Sequence, residues 1–159
     1  MKELNIEPCT SENAVAIIKG INTFNLSKVA ATADVWTPLD FVIKSETGKE
    51  IAGILAGVGY WKGLEIKILW VADEYRNTGL GTVLLNHVED VAKAIGATIA
   101  MLDTFDFQAE KFYLKNGYEV IGEIQDFPPG HRRIYLSKRL DSPDTQCQYC
   151  LILQNKSSI

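Results

Sequence analysis

The run Tyr75-Arg76-Asn77-Thr78-Gly79-Leu80-Gly81-Thr82 carries the clearest chemical signal in this chain. It lies between an apolar, strand-like run and an amphipathic helix. Glycines at positions 79 and 81 let the backbone turn tightly and bring its N–H groups close to a bound group. The helix that follows adds unpaired N–H donors and a partial positive charge at its N-terminus. That combination suits a phosphate or pyrophosphate. Two common owners of such a loop are excluded. A nucleotide triphosphatase needs Gly-Lys-Ser/Thr at the end of the loop, and Gly81-Thr82 lacks the lysine. A dinucleotide fold needs a third glycine and an early place in the chain, whereas here Leu84 follows Gly81 and the loop comes after a three-strand meander.

The elements that must position this loop can be read from periodicity. Leu4 to Pro8 alternates as a first strand would, and Ser11-Glu12-Asn13 marks the start of a helix running to Phe24, with Val15, Ile18, Ile21 and Phe24 on one face. Residues 25–38 have no clear period and read as a helix–loop stretch near the surface. Asp40–Lys44, Ile51–Trp61 and Leu64–Val71 read as three successive antiparallel strands joined by tight turns at Ser45–Glu50 and Lys62-Gly63. After the glycine loop, Leu80, Val83, Leu84, Val88, Val91 and Ile95 recur at helical spacing, and Gly96 stops the helix. Thr98–Leu102 is apolar enough for a strand buried on both faces. Phe105–Asn116 reads as a helix with Phe105, Ala109 and Phe112 on one side and Gly117 as its cap. Tyr118–Gly122 and Arg133–Leu136 form a last strand pair around Phe127-Pro128-Pro129-Gly130. The expected fold class is α/β: one domain with a mixed central sheet, order β-α-β-β-β-α-β-α-β-β and helices on both faces, over residues 1–140, followed by a polar tail over 141–159.

Bulk properties narrow the function classes. The 159 residues are 47% hydrophobic and 23% charged, as in an ordinary soluble globular domain. A net charge of −4 without a basic block argues against nucleic-acid binding and leans toward a cationic substrate. The sequence has no apolar run near the length of a membrane span and no signal-peptide-like N-terminus, so the expected compartment is the cytosol. Cys147-Gln148-Tyr149-Cys150 is half of a zinc or redox spacing without its other half, and no metal site is expected.

Two motifs in this order carry a resemblance. Leu69-Trp70-Val71-x4-Arg76-x-x-Gly79-x-Gly81-x-x-Leu84-Leu85 resembles the acyl-CoA motif of the GCN5-related N-acetyltransferase (GNAT) superfamily. Ala109-x-x-Phe112-Tyr113-x-x-Asn116-Gly117-Tyr118 resembles the closing motif of the same superfamily, and the order of elements agrees over about residues 3 to 137. Leu102-Asp103-Thr104-Phe105 and Pro128-Pro129-Gly130-His131 are similar to segments of a subgroup of small bacterial acetyltransferases.

The resemblance implies acetyl-CoA as co-substrate and an acetyltransferase acting on a primary amine of a small molecule or peptide by direct attack. A catalytically weak CoA-binding sensor or interaction module is the alternative. The backbone of Asn77, Thr78, Gly79, Leu80, Gly81 and Thr82 would hold the pyrophosphate, with Arg76 shaping the loop or adding charge. The strand at Leu69 and Val71 would offer backbone groups to the pantetheine arm, and the Val71 N–H would polarise the thioester carbonyl. Ala109 and Asp106 fall at cofactor-binding positions. Many members have Asn where Asp106 stands, and a carboxylate accepts hydrogen bonds but cannot donate them. Tyr113 is the implied acid for the leaving thiolate.

An ammonium must lose a proton before it attacks, so a base is required. Glu65 occupies a strand where several members place a carboxylate, and its same-face neighbour Lys67 makes an ordinary ion pair the competing reading. Asp103 is a catalytic or substrate-binding candidate that could instead cap the helix near Phe105. His131 is a titratable turn residue and His87 a surface residue. Trp36, Phe24 and Trp61 could line an amine pocket or pack, and Asp34 and Asp126 could add negative potential. A homodimer is compatible with the resemblance; no nucleic acid or membrane partner is expected.

Overall fold

The computed structural model describes residues 6–141 and divides into a unit of residues 1–32 and a unit of residues 33–159. In the first unit, Thr10 starts helix α1 (Ser11–Lys28). Its hydroxyl accepts from the Asn13 N–H while the Asn13 side chain accepts from the Thr10 N–H, a closed capping box. The helix runs past Phe24, and Val15, Ile18, Ile21 and Phe24 all stay exposed. The expected first strand is not present over its described part. Ile6–Pro8 has no regular structure, and Leu4 and Asn5 lie outside the described residues. Pro8 has no N–H to give to a ladder, and the capping box begins two residues after it.

The second unit is built on seven strands: β1 (Trp36–Pro38), β2 (Phe41–Lys44), β3 (Glu50–Gly59), β4 (Gly63–Val71), β5 (Ile99–Phe105), β6 (Glu119–Gln125) and β7 (Arg132–Arg139). They form one mixed sheet in the order β1-β3-β4-β5-β7-β6, with β2 also paired to β3. Among the described residues only β4 and β5 run parallel. Helix α2 (Leu80–Ala94) connects them, and α3 (Glu110–Lys115) precedes the β6–β7 hairpin. β1 lies in the stretch read as helix and loop, and pairs Trp36 with Gly59 and Pro38 with Gly57. Gly57 makes that contact possible, because a Cβ there would lie 2.2 Å from the Trp36 ring.

Three further expectations are corrected. β5 is not buried on both faces: Ala100, Leu102 and Thr104 are buried, whereas Met101 and Asp103 are exposed. The helix expected over Phe105–Asn116 is only Glu110–Lys115, because β5 extends to Phe105 through its register with Arg133 of β7. The buried stripe of α2 is Leu84, Leu85, Val88, Glu89 and Ala92, leaving Val83 and Ile95 exposed. A charged residue on the inner face hid that rotation from the hydrophobic pattern.

Strand β4 breaks its own alternation. Leu55 of β3 faces Ile68 and Ala56 faces Ile66, so Lys67 is an extra residue, a β-bulge. Before the bulge Leu64 and Ile66 are buried; after it Leu69 and Val71 pack on the core and Ile68 and Trp70 are exposed. β4 pairs with β5 only from Gly63 to Glu65, and beyond the bulge the two strands part.

Glu89 is 2% exposed and accepts hydrogen bonds from the Tyr118 hydroxyl at 2.9 Å and the Lys138 ammonium at 2.6 Å. Burial and the neighbouring Glu89 carboxylate push the Tyr118 phenol up, so it remains a donor. The trio ties α2 to β7 and to the residue before β6. Removing one member strands a buried charge, so Glu89→Ala should lower unfolding free energy by about 3 kcal/mol in denaturant titration. A loss below roughly 1 kcal/mol would show that the charges are solvated or repaired.

Candidate active site

The parting of β4 from β5 opens a cleft of about 920 Å³ whose lining includes Leu69, Val71, Arg76, Asn77, Gly79–Thr82, Asp103, Asp106, Ala109 and Tyr113. The phase of the β3–β4 ladder decides which backbone groups face it. The Ala72 N–H donates to the Ile51 carbonyl at 2.9 Å. Alternation along an antiparallel ladder then turns the N–H and C=O of Val71 and Leu69 away from β3, toward the gap.

At one end of the cleft, the glycine loop becomes the N-terminus of α2. Asn77 and Gly79 both have positive φ, 62° and 92°, and nothing lies within 4 Å of a Cβ placed on Gly79. The first helical hydrogen bond runs from Val83 to the Gly79 carbonyl, and no side chain caps the end. The N–H groups of Leu80, Gly81 and Thr82 therefore have no acceptor within the helix. Gly81 lets the helix start approach α3: a Cβ there would touch the Phe112 ring at 3.4 Å. Arg76 turns back on the loop, pairing with Asp73 at 2.7 Å and donating from Nε to the Val71 carbonyl at 3.4 Å. Thr78 donates to the Tyr75 carbonyl. Of the two readings of Arg76, this geometry favours shaping the loop.

Farther along, Tyr113 is buried, with its ring edge-on to Phe112 and Tyr118. Burial first, and then the negative charge of Asp103, pushes its phenol up to about 12. Asp103 lines the cleft and accepts from Arg133 Nε at 2.7 Å. It caps no helix. The Gln108 side-chain oxygen instead accepts from the Phe105 N–H and the Thr104 hydroxyl, holding the β5–α3 turn. Asp106 lines the cleft, and its carboxylate is 3.0 Å from His131 Nδ1, so the Pro-Pro-Gly-His turn is tied to the cleft mouth.

Other candidates fall outside the cleft lining. Glu65 is exposed on β4 and registers with Met101 of β5; Lys67 does not pair with it but places its ammonium 4.3 Å from the Trp36 ring centroid. The Trp36 face is thus occupied from within the chain. Phe24 lies on α1 with Lys28 over its ring, and Trp61 packs beside Tyr60 in the β3–β4 turn. Asp34 is exposed, Asp126 accepts from the Gly130 N–H within the hairpin turn, and His87 sits edge-on to Phe41. Sequence reading missed Phe107, Gln108 and Arg133. Arg133 meets Asp103 only through the β5–β7 register, for which no local pattern exists. Among the described residues no His, Cys, Asp and Glu cluster is placed to hold a metal, and no helix is long and apolar enough to cross a membrane. Cys147, Cys150 and the rest of residues 142–159 lie outside the described residues.

Comparison with known proteins agrees with this arrangement. Residues 22–118 match the acetyltransferase (GNAT) family. The chain is 38% identical over 92 residues to a blasticidin-S acetyltransferase from Streptomyces morookaense, covering 57% of this chain and 68% of that one. Its structure is similar to a crystal structure of an acetyltransferase from Bacillus cereus, with a TM-score of 0.80, 32% identity, and coverage of 87% of this chain and 99% of the other. A Bacillus anthracis structure solved in complex with acetyl coenzyme A shares the fold at a TM-score of 0.57 and 21% identity, over 64% of this chain and 62% of that one. The chain belongs to the GNAT family and is an acetyl-CoA-dependent acetyltransferase.

Proposed function

We propose that this protein transfers the acetyl group of acetyl-CoA to a primary amine of a small molecule by direct attack. The observation that carries the reading is one continuous cleft. It begins at the open N-terminus of α2, follows the backbone that Leu69 and Val71 turn away from β3, and ends between Asp103 and Tyr113. That sequence of groups matches, in order, the pyrophosphate, pantetheine and thioester of the donor. The named substrate of the Streptomyces relative supports a small molecule as acceptor, and blasticidin S is the first compound to try.

In this reading the amine lone pair attacks the thioester carbon while the Val71 N–H holds the developing oxyanion. Collapse breaks the C–S bond and expels the thiolate, and the second N–H proton of the attacking nitrogen is lost to solvent as the amide forms. Tyr113 donates a hydrogen bond to that sulfur. With its phenol pushed up to about 12 it stays protonated, so its contribution is a hydrogen bond that stabilises the departing charge. Asp103 attracts the acceptor ammonium and passes its proton outward. Glu65, outside the cleft lining, is the second candidate for that task.

Acetyl-CoA thiol release over a panel of amines tests the activity, and failure of every amine despite tight CoA binding would reject it. Gly79→Val should weaken CoA binding about tenfold or more, because a β-branched side chain resists positive φ and fills the backbone's approach to the pyrophosphate. Unchanged affinity in a calorimetric titration would move the anchor elsewhere. Tyr113→Phe should lower kcat by about tenfold or more with CoA affinity nearly unchanged, the loss expected for one hydrogen bond to a charged group. Because the Tyr113 phenol is pushed up to about 12, it remains protonated through the assay range and should produce no alkaline loss of kcat. An alkaline limb near 10 that disappears in Tyr113→Phe would contradict that environment. Asp103→Asn should lower kcat/KM about tenfold and Glu65→Gln less than about threefold; the reverse pattern would assign the proton to Glu65.

A further inference from the structure

The β5–α3 turn and the β6–β7 hairpin bring together three phenylalanine rings that the transfer chemistry does not use, with the His131 ring edge-on to Phe107 at 4.9 Å. Phe105 and Phe107 stack with centroids 5.2 Å apart and planes 6° from parallel, and Phe127 leans on Phe105 at 6.2 Å. Phe107 is 56% exposed and Phe127 48% exposed. Leaving two phenyl rings half in water forgoes much of the free energy that burying them would give. The group is continuous with the active-site cleft, because Phe107 and Asp103 both line it. At its inner edge Arg133 pairs with Asp103 and lies 5.7 Å from the Phe105 ring, so a carboxylate that faces the thioester end is fixed beside a π surface. The parallel planes of Phe105 and Phe107 already show the spacing at which a further flat ring stacks.

We propose that this shelf selects acceptors in which the amine is carried by a planar unsaturated ring, the ring packing on the exposed surface of Phe107 and Phe127 and the ammonium reaching Asp103. The proposal rests on the amine-transfer reading for its role in catalysis, but not for the binding itself. A saturated ring of equal charge and length cannot lie flat on the shelf, so discrimination should appear in KM more than in kcat.

The test uses the full chain and a matched pair, 2-phenylethylamine and 2-cyclohexylethylamine, at saturating acetyl-CoA. The planar amine should have a kcat/KM about tenfold higher, and Phe107→Ala or Phe127→Ala should reduce that ratio to about twofold without raising the KM for acetyl-CoA. Equal kcat/KM for the pair overturns the proposal, as does a ratio that survives both substitutions. A rise in the acetyl-CoA KM alone for Phe107→Ala would place that ring on the donor and also overturn it. If neither amine is acetylated, direct titration of both into the CoA-loaded protein decides. Phe107-dependent preference for the planar amine would support the shelf, amine transfer being decided separately by the amine panel, and absence of preference would reject the shelf.

Discussion

The parting of two parallel strands is the constraint on which the site depends. Backbone N–H and C=O groups inside a protein must be paired, and a sheet normally satisfies them on both sides of every inner strand. Here Lys67 is one residue too many for the β3–β4 register, and β4 swings off β5 after Glu65. The bulge has two consequences from one insertion. It turns Leu69 and Val71 onto the core, which anchors the strand, and it leaves their backbone groups aimed at a gap, where Arg76 reaches the Val71 carbonyl. An internal sheet edge of this kind accepts an extended, amide-bearing chain and rejects a bulky one.

Two charged arrangements then keep the gap in shape. Glu89, buried between Lys138 and Tyr118, holds α2 against β7, so the N-terminal end of α2 stays aimed along the cleft. Arg132 bridges Glu110 of α3 and Glu123 of β6, and Asp106 meets His131 across the cleft mouth. The hairpin is therefore tied to the α3 side at two points. Nearer the chemistry the balance differs. Asp103 keeps its Arg133 partner and, after burial, its charge adds to what raises the Tyr113 phenol; in the proposed reading the same carboxylate attracts a cationic acceptor.

What was legible in the chain divides along physical lines. The glycine loop, the helix after it and the Gly96 and Gly117 stops were readable because local backbone demands fix residue types: Gly79, Gly96 and Gly117 all have φ between 82° and 92°. The three-strand meander was readable from its turns. Glu89 was hidden because a paired buried charge looks polar in a hydrophobic pattern, and that displaced the inner face of α2. The short α3 was overestimated because β5 gains its last residues from pairing with β7, a contact between residues about 30 apart in sequence. The bulge at Lys67 was invisible because a run of alternating residues on either side of it reads as one uninterrupted strand.

The same division explains why the donor was easier to identify than the acceptor. In the proposed reading pyrophosphate and pantetheine are held by backbone groups, whose placement needs glycines and a helix start at fixed local spacing, and such spacing survives in one dimension. An acceptor is held by side chains from β5, the β5–α3 turn and the β6–β7 hairpin, assembled by register. Asp103, Phe107, Phe127 and Arg133 span more than two dozen positions, and nothing in their order announces that they meet. Trp36 makes the opposite point. As a sequence residue it is the obvious cation platform, and in the fold it is one, but its partner is Lys67, the bulged residue of the same sheet. The strongest aromatic candidate is thereby occupied from within, and the surface that remains open to an acceptor is the one made of phenylalanines, where stacking rather than charge sets the preference.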